Sequence, residues 1–551
     1  MVEEALPTSD FIDPDAASEA ASYLRNTAVM TAGTTLSRLT GFARTLVQAA
    51  ALGVGASALA DTYNTANTTP NIIYELVLGG ILTSVFVPLF VEWLKEHGKG
   101  DAWQVADRIL TLTAVMLSAV ALIGAIAAPA IIRLYTSSSP APNRAQQLEL
   151  GTYFLRWFMP QIVFYGVGAV AAGLLNAHRK FAAPMFAPIL NNLAVIATFG
   201  VYLALLHGGT PSVGGITGAE RLVLGAGTTL GVVAMTLALW PSLRRLGYRW
   251  HPRMDWNHPA IRRLGRLSVW VIVYVVANQV ALLIIIVLAG AVVGGFSAYT
   301  YAFVVFALPH AIFVVSIFTA LLPSMSARWT ERDISSLRGL LSRGLRDTAV
   351  VIFPAALGLF ALAVPLSRLI FEHIHVSQTD ARLIAHTLQG FAVGLPFFSY
   401  FQLLTRTFYA MQDTRTPALV NIAAATVNVL ADVVFMRVLG WGIPGLALGQ
   451  SVSYVFGTVI LALIARRRLD GIDGARVGRS LARIVPASAL GALAALGASR
   501  AVDSIGAGSV TWAVQVVVGT SAGVLVFFGS ALILKIGEVR SLTEQIRGRF
   551  R

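Results

Sequence analysis

Residues 27–52 read TAVMTAGTTLSRLTGFARTLVQAAAL. The stretch holds no acid and exceeds the roughly 20 residues a helix needs to cross a bilayer, yet it carries Arg38 and Arg44. At 1.5 Å per residue, Arg38 lies roughly 16 Å in and Arg44 roughly 26 Å in. A central arginine costs about 2.5–3.5 kcal/mol on insertion scales, and snorkelling brings Arg38 comfortably to neither interface. Six residues at 100° each set the two about 120° apart, so they line a broad face, while Ser37, Gly41 and Arg44 share one side. This pattern predicts a water-filled cavity presenting guanidiniums to an anion. Bidentate arginine pairing suits a pyrophosphate. The competing reading is a structural salt bridge to Asp61 or Glu75.

The rest of the chain agrees with a lipid solvent. Of 551 residues, 56% are hydrophobic and only 12% charged, where a soluble chain carries about a quarter. About 14 stretches are long and apolar enough to span: 27–52, 58–93, 105–135, 147–175, 182–207, 220–243, 264–291, 295–326, 343–371, 381–410, 416–437, 443–465, 480–501 and 509–535. The second is interrupted by Pro70, Gly79, Gly80 and Pro88, which membranes tolerate only where protein or a cavity satisfies the freed backbone. The fold class is therefore all-α and polytopic. Met1 to Asn26 is polar and acidic and lacks the features of a signal peptide; it is expected to be a mobile cytoplasmic tail. The absence of cysteine removes disulfides, thiolate metal sites and cysteine nucleophiles.

With the N-terminus inside, the inner segments hold about 30 Lys and Arg and the outer ones about 7, the positive-inside asymmetry. Both termini are thus expected to be cytoplasmic. The formal charge of +14 reads as topology and anionic-lipid contact, not nucleic-acid binding. The chain also repeats weakly. Pro160, Tyr165 and Pro184 recur as Pro396, Tyr400 and Pro417, and Val87-Pro88 as Leu322-Pro323, at an offset of about 235 residues. Parallel repeats of this sort build two lobes around a central pathway. The expected organisation is a tail (1–26), an N-lobe of six helices (27–246), a basic linker (247–263), a C-lobe of six helices (264–468), helices 13 and 14 (469–536) and a basic tail (537–551).

Several motifs resemble one family. Ser37-Arg-x-x-Gly-Phe-x-Arg44, Ala60-Asp61, Pro70-Asn71 and Phe86-Val87-Pro88 look like the amino-terminal signature of the MurJ/MviN family, and Ala410-Met-Gln-Asp-Thr-Arg-Thr-Pro417 matches its second-lobe turn. The likeness covers most of the chain in order and extends to the larger exporter superfamily of multidrug and polysaccharide-unit transporters. The resemblance implies a bacterial inner-membrane flippase moving lipid II, the undecaprenyl-pyrophosphate peptidoglycan precursor, to the outer leaflet by alternating access. It implies that Arg38 and Arg44 contact the head group, that Asp61 lines the same cavity, and that helices 13 and 14 form a groove for the lipid tail; Ser37, on the side of Arg44, and Glu75, a departure from the family pattern that could pair with Arg44, complete the expected substrate-binding set. Partners would be lipid II, membrane lipids and cell-wall synthesis or division proteins, with the protein acting as a monomer.

The chain departs from the family pattern. Ile72-Ile73-Tyr74-Glu75 and Tyr301–Pro309 lack the arginines usual there. Arg156 and Arg406 could partly replace them, although each reads first as structural or interfacial. In helix 11, Asn428 and Asp432 share a face. A buried carboxylate beside an amide can coordinate sodium or carry a proton, but where some relatives have a helix 7 acid this chain reads Asn278-Gln279. His310 is expected to be a packing residue, and His373 and His375 solvated. Asn191-Asn192 could line the path or join helices.

No phosphate-cradling nucleotide loop is present, no catalytic residue is expected and no cofactor is required beyond a coupling sodium ion or proton. Rival functions are export of another lipid-linked oligosaccharide, export of small cationic drugs (which would want acidic cavity residues), a membrane glycosyltransferase (which would need a catalytic carboxylate near the outer face) and a non-transporting cell-wall scaffold.

Overall fold

The computed structural model describes residues 14–55, 58–76, 87–178, 180–373, 375–502, 506 and 508–539. The break at Gly79-Gly80, the tail before Pro14, the tail after Val539 and the side chain of Glu75 lie outside the described residues. Eighteen helices follow in order: α1 (Pro14–Leu52), α2 (Leu59–Leu76), α3 (Val87–Tyr135), α4 (Ala141–Phe158), α5 (Gln161–Ala177), α6 (Ala182–Leu205), α7 (Gly218–Leu237), α8 (Trp240–Arg245), α9 (Pro259–Ala289), α10 (Gly295–Pro309), α11 (Val315–Thr330), α12 (Ile334–Ala361), α13 (Ala363–Phe371), α14 (Gln378–Ala410), α15 (Arg415–Val433), α16 (Gly442–Arg468), α17 (Gly474–Val502) and α18 (Ser509–Ile533). Among the described residues there is no strand.

Ten of the described stretches are long and apolar enough to cross a membrane. The other four predicted spans fall on α1, α2, α9 and α14. Three of these carry charged or amide residues on the faces they turn inward: Gln48 on α1, Asp61 and Asn64 on α2, and Asp380 on α14 are all buried. The first helix corrects one expectation. It begins at Pro14 and not after Asn26, because the run Ala16-Ala-Ser-Glu-Ala-Ala-Ser-Tyr-Leu is rich in strong helix formers.

Helices α1 to α7 pack among themselves through α1–α6, α6–α7, α3–α5 and α2–α4, while α9 to α16 do so through α14–α16, α15–α16, α12–α14 and α10–α14. The α17–α18 pair leans on α12 and α13, and Glu538 beyond it is ion-paired with Arg346 of α12. The tightest seam, α14 on α16, rests on Gly390 and Gly394. A Cβ at Gly390 would stand 2.7 Å from the Pro444 carbonyl oxygen, and one at Gly394 would stand 2.7 Å from the Ser451 Cα. Small residues four apart let two membrane helices approach backbone to backbone, and Ser451 Oγ–H then donates to the Gly390 carbonyl at 2.7 Å.

The connection between the two bundles is not a loose tether. Asp107 of α3 accepts hydrogen bonds from Tyr248 Oη at 2.8 Å and from the His251 N–H at 3.1 Å. Thr111 Oγ accepts from Trp250 Nε1 and from the Arg253 N–H, both at 3.1 Å. Residues 248–253 thus lie along α3, and the last part of the expected 247–263 linker is already helical from Pro259. Where α10 meets Pro309 the missing N–H opens the ladder, and residues His310–Val314 form a π-helical turn.

Candidate functional site

Helix α1 carries its two arginines into different surroundings, as their angular separation requires. Ser37 and Thr40 face α6, where the Asn192 side-chain amide donates to the Ser37 carbonyl at 3.1 Å and to Thr40 Oγ at 3.0 Å. Gly41 sits against the same amide. Arg38 is exposed and, like Arg406 on α14, lies within electrostatic reach of His310. Arg406 is also exposed, with its guanidinium carbon 5.4 Å from the Phe318 ring centre and 5.8 Å from that of Tyr409. His310 is buried and hydrogen-bonded through Nδ1 to Ser399 Oγ at 3.0 Å. One cation from each bundle therefore lies within electrostatic reach of the same buried ring at the π-helical turn. Among the described residues neither Arg38, Arg44 nor Arg406 has a carboxylate within salt-bridge distance.

Arg44 enters a hollow of about 70 Å³ inside the first bundle, with Gln48, Asn67, Asn71, Gln161 and Asn191 around it. Arg44 Nε, Gln161 Oε1 and Asn191 Oδ1 are buried there without a protein partner. A polar void of that size has room for one or a few waters. Helix α2 keeps its own backbone supplied around Pro70. Thr62, Thr65 and Thr68 hydroxyls donate to the carbonyls four residues back at 2.7, 2.5 and 2.7 Å, and the Asn71 amide donates to the Asn67 carbonyl at 3.0 Å.

Asp61 does not share the arginine hollow, contrary to the sequence-based expectation. It is buried at the start of α2, and its Oδ1 accepts from the Ser297 N–H at 2.8 Å and from Ser297 Oγ–H at 2.7 Å. Helix α10 starts at Gly294 in a left-handed conformation with no side-chain cap of its own. The carboxylate of the other bundle supplies the cap and meets the positive end of the helix dipole. The Asn64 amide donates to Ser297 Oγ at 2.9 Å, and the Gln48 amide donates to Asn64 Oδ1 at 2.5 Å. Nearby, the backbone of α1 meets the second bundle again through His375 Nδ1 and the Ala50 carbonyl at 3.0 Å. His375 is therefore not simply solvated. Together these contacts close one end of the space between the bundles.

A larger hollow of about 440 Å³ lies against the second bundle, with Thr68 of α2 on its border. Aromatic rings (Tyr299, Phe303, Phe398, Tyr454) and amides (Gln402, Asn421) line it, with no charged side chain. Asn428 borders this space, while Asp432 lies one turn further along, fully buried, with neither carboxylate oxygen hydrogen-bonded. Its Oδ1 presses on Gly449 of α16, where a Cβ would stand 2.1 Å away. Asn278, at the position where some relatives have an acid, is held by the Asn421 amide at 3.0 Å, two turns from Asn428. Among the described residues no group of three or more acids and histidines that could hold a metal ion is formed. Two unsatisfied carboxylate oxygens beside one amide fit a bound proton directly, whereas sodium would need backbone or water oxygens as well.

Asn64, Asn67 and Asn71 recur at helical spacing on α2, the sequence signal for this polar face. Arg38 and Arg406 lie on different bundles, a relationship that local spacing does not carry.

Comparison with known proteins places the chain. The sequence model described as "Lipid II flippase MurJ" matches residues 49–515. The lipid II flippase MurJ of Burkholderia cenocepacia is 29% identical over 440 residues, covering 79% of this chain and 82% of that protein. The probable lipid II flippase MurJ of Rhizobium meliloti is 27% identical over 427 residues, 77% of each chain. A solved structure of a lipid II flippase MurJ in an inward closed conformation superposes with a TM-score of 0.74 at 20% identity, over 94% of this chain and all of that one. An inward-facing multidrug transporter of the MATE family superposes with a TM-score of 0.64 at 14% identity, over 80% and 98%. The chain, a multi-pass inner-membrane protein and not a catalyst, belongs to the lipid II flippase MurJ family.

Proposed function

We propose that the chain carries the head group of lipid II between leaflets by alternating access of the two bundles, with Arg38 and Arg406 receiving the pyrophosphate. The observation that carries this reading is the pair of exposed guanidiniums, Arg38 and Arg406, one from each bundle, with no carboxylate within salt-bridge distance among the described residues. Cations kept at such a place without a counter-ion suit an anion that arrives and leaves. Arg44 in its polar hollow adds positive potential from within the first bundle. The aromatic and amide lining of the larger hollow offers stacking faces and hydrogen bonds to the sugar and peptide part, and the α17–α18 pair offers the polyprenyl chain a path along the second bundle. Asp432 is the coupling group, taking a proton or, with added oxygens, a sodium ion. The excess of Lys and Arg in one set of loops orients both termini to the cytoplasm, which makes the Asp61–Ser297 end the extracytoplasmic one and the state described here closed outward. The protein is proposed to work as a monomer.

Export of small cationic drugs on the same fold is disfavoured by the same two arginines. The test is complementation of a strain depleted of its own flippase. Wild type is expected to restore growth and Arg38→Ala combined with Arg406→Ala to fail at equal membrane abundance. Full rescue by the double variant would reject the arginine role.

A further inference from the structure

We propose that the crevice between α4 and α7 at Arg156 is a site for a membrane glycerophospholipid, held through its phosphodiester. The crevice encloses about 590 Å³, and Tyr153, Arg156, Trp157, Glu149 and Arg221 border it. Arg156 is exposed; its one hydrogen bond runs from Nε to the Ala125 carbonyl of α3 at 3.4 Å. Arg221 is already paired with Glu149 at 2.8 Å. Arg156 therefore has no counter-ion among the described residues, and the three charges sum to one positive, which a single phosphodiester neutralises.

The depth fits the same ligand. Arg156 stands 21 residues before Ala177, where the span Pro142–Ala177 ends. That is about 32 Å of helix, close to the roughly 30 Å of a hydrocarbon core. Counted from that end, Arg156 comes near the phosphate level, and the earlier turns of α4 carry Asn143, Arg144, Gln146 and Gln147. Trp157, lying against Gly225 of α7 and still 37% exposed, is the residue type that settles at this interface. From Ala125 toward the bilayer centre α3 presents Leu122, Ile123 and Met116, exposed by 63%, 65% and 51%, a track for an acyl chain. Assignment to the outer leaflet rests on the orientation proposed above; the site itself does not.

The experiment is native mass spectrometry of the full, delipidated chain titrated with dioleoyl phosphatidylglycerol. Separate arms use dioleoylglycerol, which has the chains without phosphate, and glycerol 3-phosphate, which has the phosphate without chains. The expected result is a first lipid bound on the order of tenfold more weakly by Arg156→Gln, the scale of one charge-assisted hydrogen bond. Glu149→Gln, which releases a second positive charge, is expected to bind it more tightly. Neither control ligand should match the lipid. Brominated phosphatidylglycerol is expected to quench the fluorescence that wild type loses on Trp157→Phe, and this quenching should vanish in Arg156→Gln. Equal affinity of wild type and Arg156→Gln, weaker binding by Glu149→Gln, or equal binding of either control would overturn the proposal. The opposite directions of the two variants separate it from a general loss of folding, and none of these readouts depends on transport.

Discussion

The carboxylate of Asp61 on α2 caps a helix of the other bundle, accepting both the N–H and the Oγ–H of Ser297 at 2.8 and 2.7 Å. Breaking this clasp means uncapping α10, so it opposes separation of the bundles at that end. Asp61→Asn keeps the shape but loses the charge that meets the helix dipole. Loss of a charged hydrogen bond costs about 1.5–3 kcal/mol, which is roughly a tenfold or greater shift between closed and open forms. The chain has no native cysteine, so a single cysteine at Thr62 reports opening through its rate of labelling by an impermeant maleimide. Labelling is expected to rise about tenfold or more in Asp61→Asn. An unchanged rate would show that the clasp does not gate this end.

Gly394 makes a prediction about the fold alone. A methyl group there meets the Ser451 Cα at 2.7 Å, and backbone cannot rotate away as a side chain could. Gly394→Ala is expected to push α14 from α16 and lower the thermal midpoint, with an overpacking cost of about 1–3 kcal/mol. Gly358→Ala is the control, since a Cβ at Gly358 meets nothing within 4 Å. Equal midpoints for the two variants would mean that α14 and α16 can part at little cost.

The helices were legible because hydrophobic runs of bilayer length follow from a one-dimensional rule. Arg38 and Arg44 were legible as anomalies within one such run. Asp61 was not, because its role depends on Ser297, more than two hundred residues away, and a carboxylate that lines a cavity looks the same in sequence as one that caps a distant helix. The start of α1 was missed for another reason: polarity before Thr27 argued against a membrane span, but a helix can continue into water when its residues favour helix.

The second-lobe turn noted in the sequence has a structural cause that makes it sensitive to pH. Gln412 takes a left-handed backbone at φ 58°, and Asp413 then caps α15, accepting from the Thr416 N–H at 3.0 Å and Oγ–H at 2.6 Å while pairing with Arg468 of α16. Partial burial works to raise its carboxyl, but the Thr416 hydrogen bonds and the Arg468 charge outweigh it and hold the group below the usual carboxylate range. A depressed folded value means that the stabilisation is present above the unfolded value and lost as pH falls through the folded one. Wild type is expected to lose thermal stability relative to Asp413→Asn as pH falls below about 4. The difference should be constant between pH 6 and 8. A gap that does not narrow in acid would remove Asp413 from the account.

Asp432 separates coupling from recognition. It touches neither arginine's surroundings, and its carboxylate oxygens have no hydrogen bond to lose. Asp432→Asn is therefore expected to keep the folded midpoint and the affinity for lipid II within about twofold, but to make transport in proteoliposomes indifferent to an imposed proton or sodium gradient. If the variant transports with the same gradient dependence as wild type, the coupling group lies elsewhere.

Arg38 and Arg406 sit on different bundles, and this fixes how their variants should combine. Arg406 holds its place by contact with the Phe318 and Tyr409 rings, worth about 0.5–1 kcal/mol at an exposed site, so Arg406→Gln is expected to shift the thermal midpoint by only a few degrees. Its effect should fall on lipid II binding instead. If both guanidiniums grip one pyrophosphate, removing either weakens binding on the order of tenfold, and removing the second adds less than the first did because the anion can then be held by one side only. Additive losses in the double variant would mean that the two act on separate parts of the substrate. Arg38→Lys is expected to recover part of the affinity, because it restores the charge without the planar fork that binds two oxygens at once.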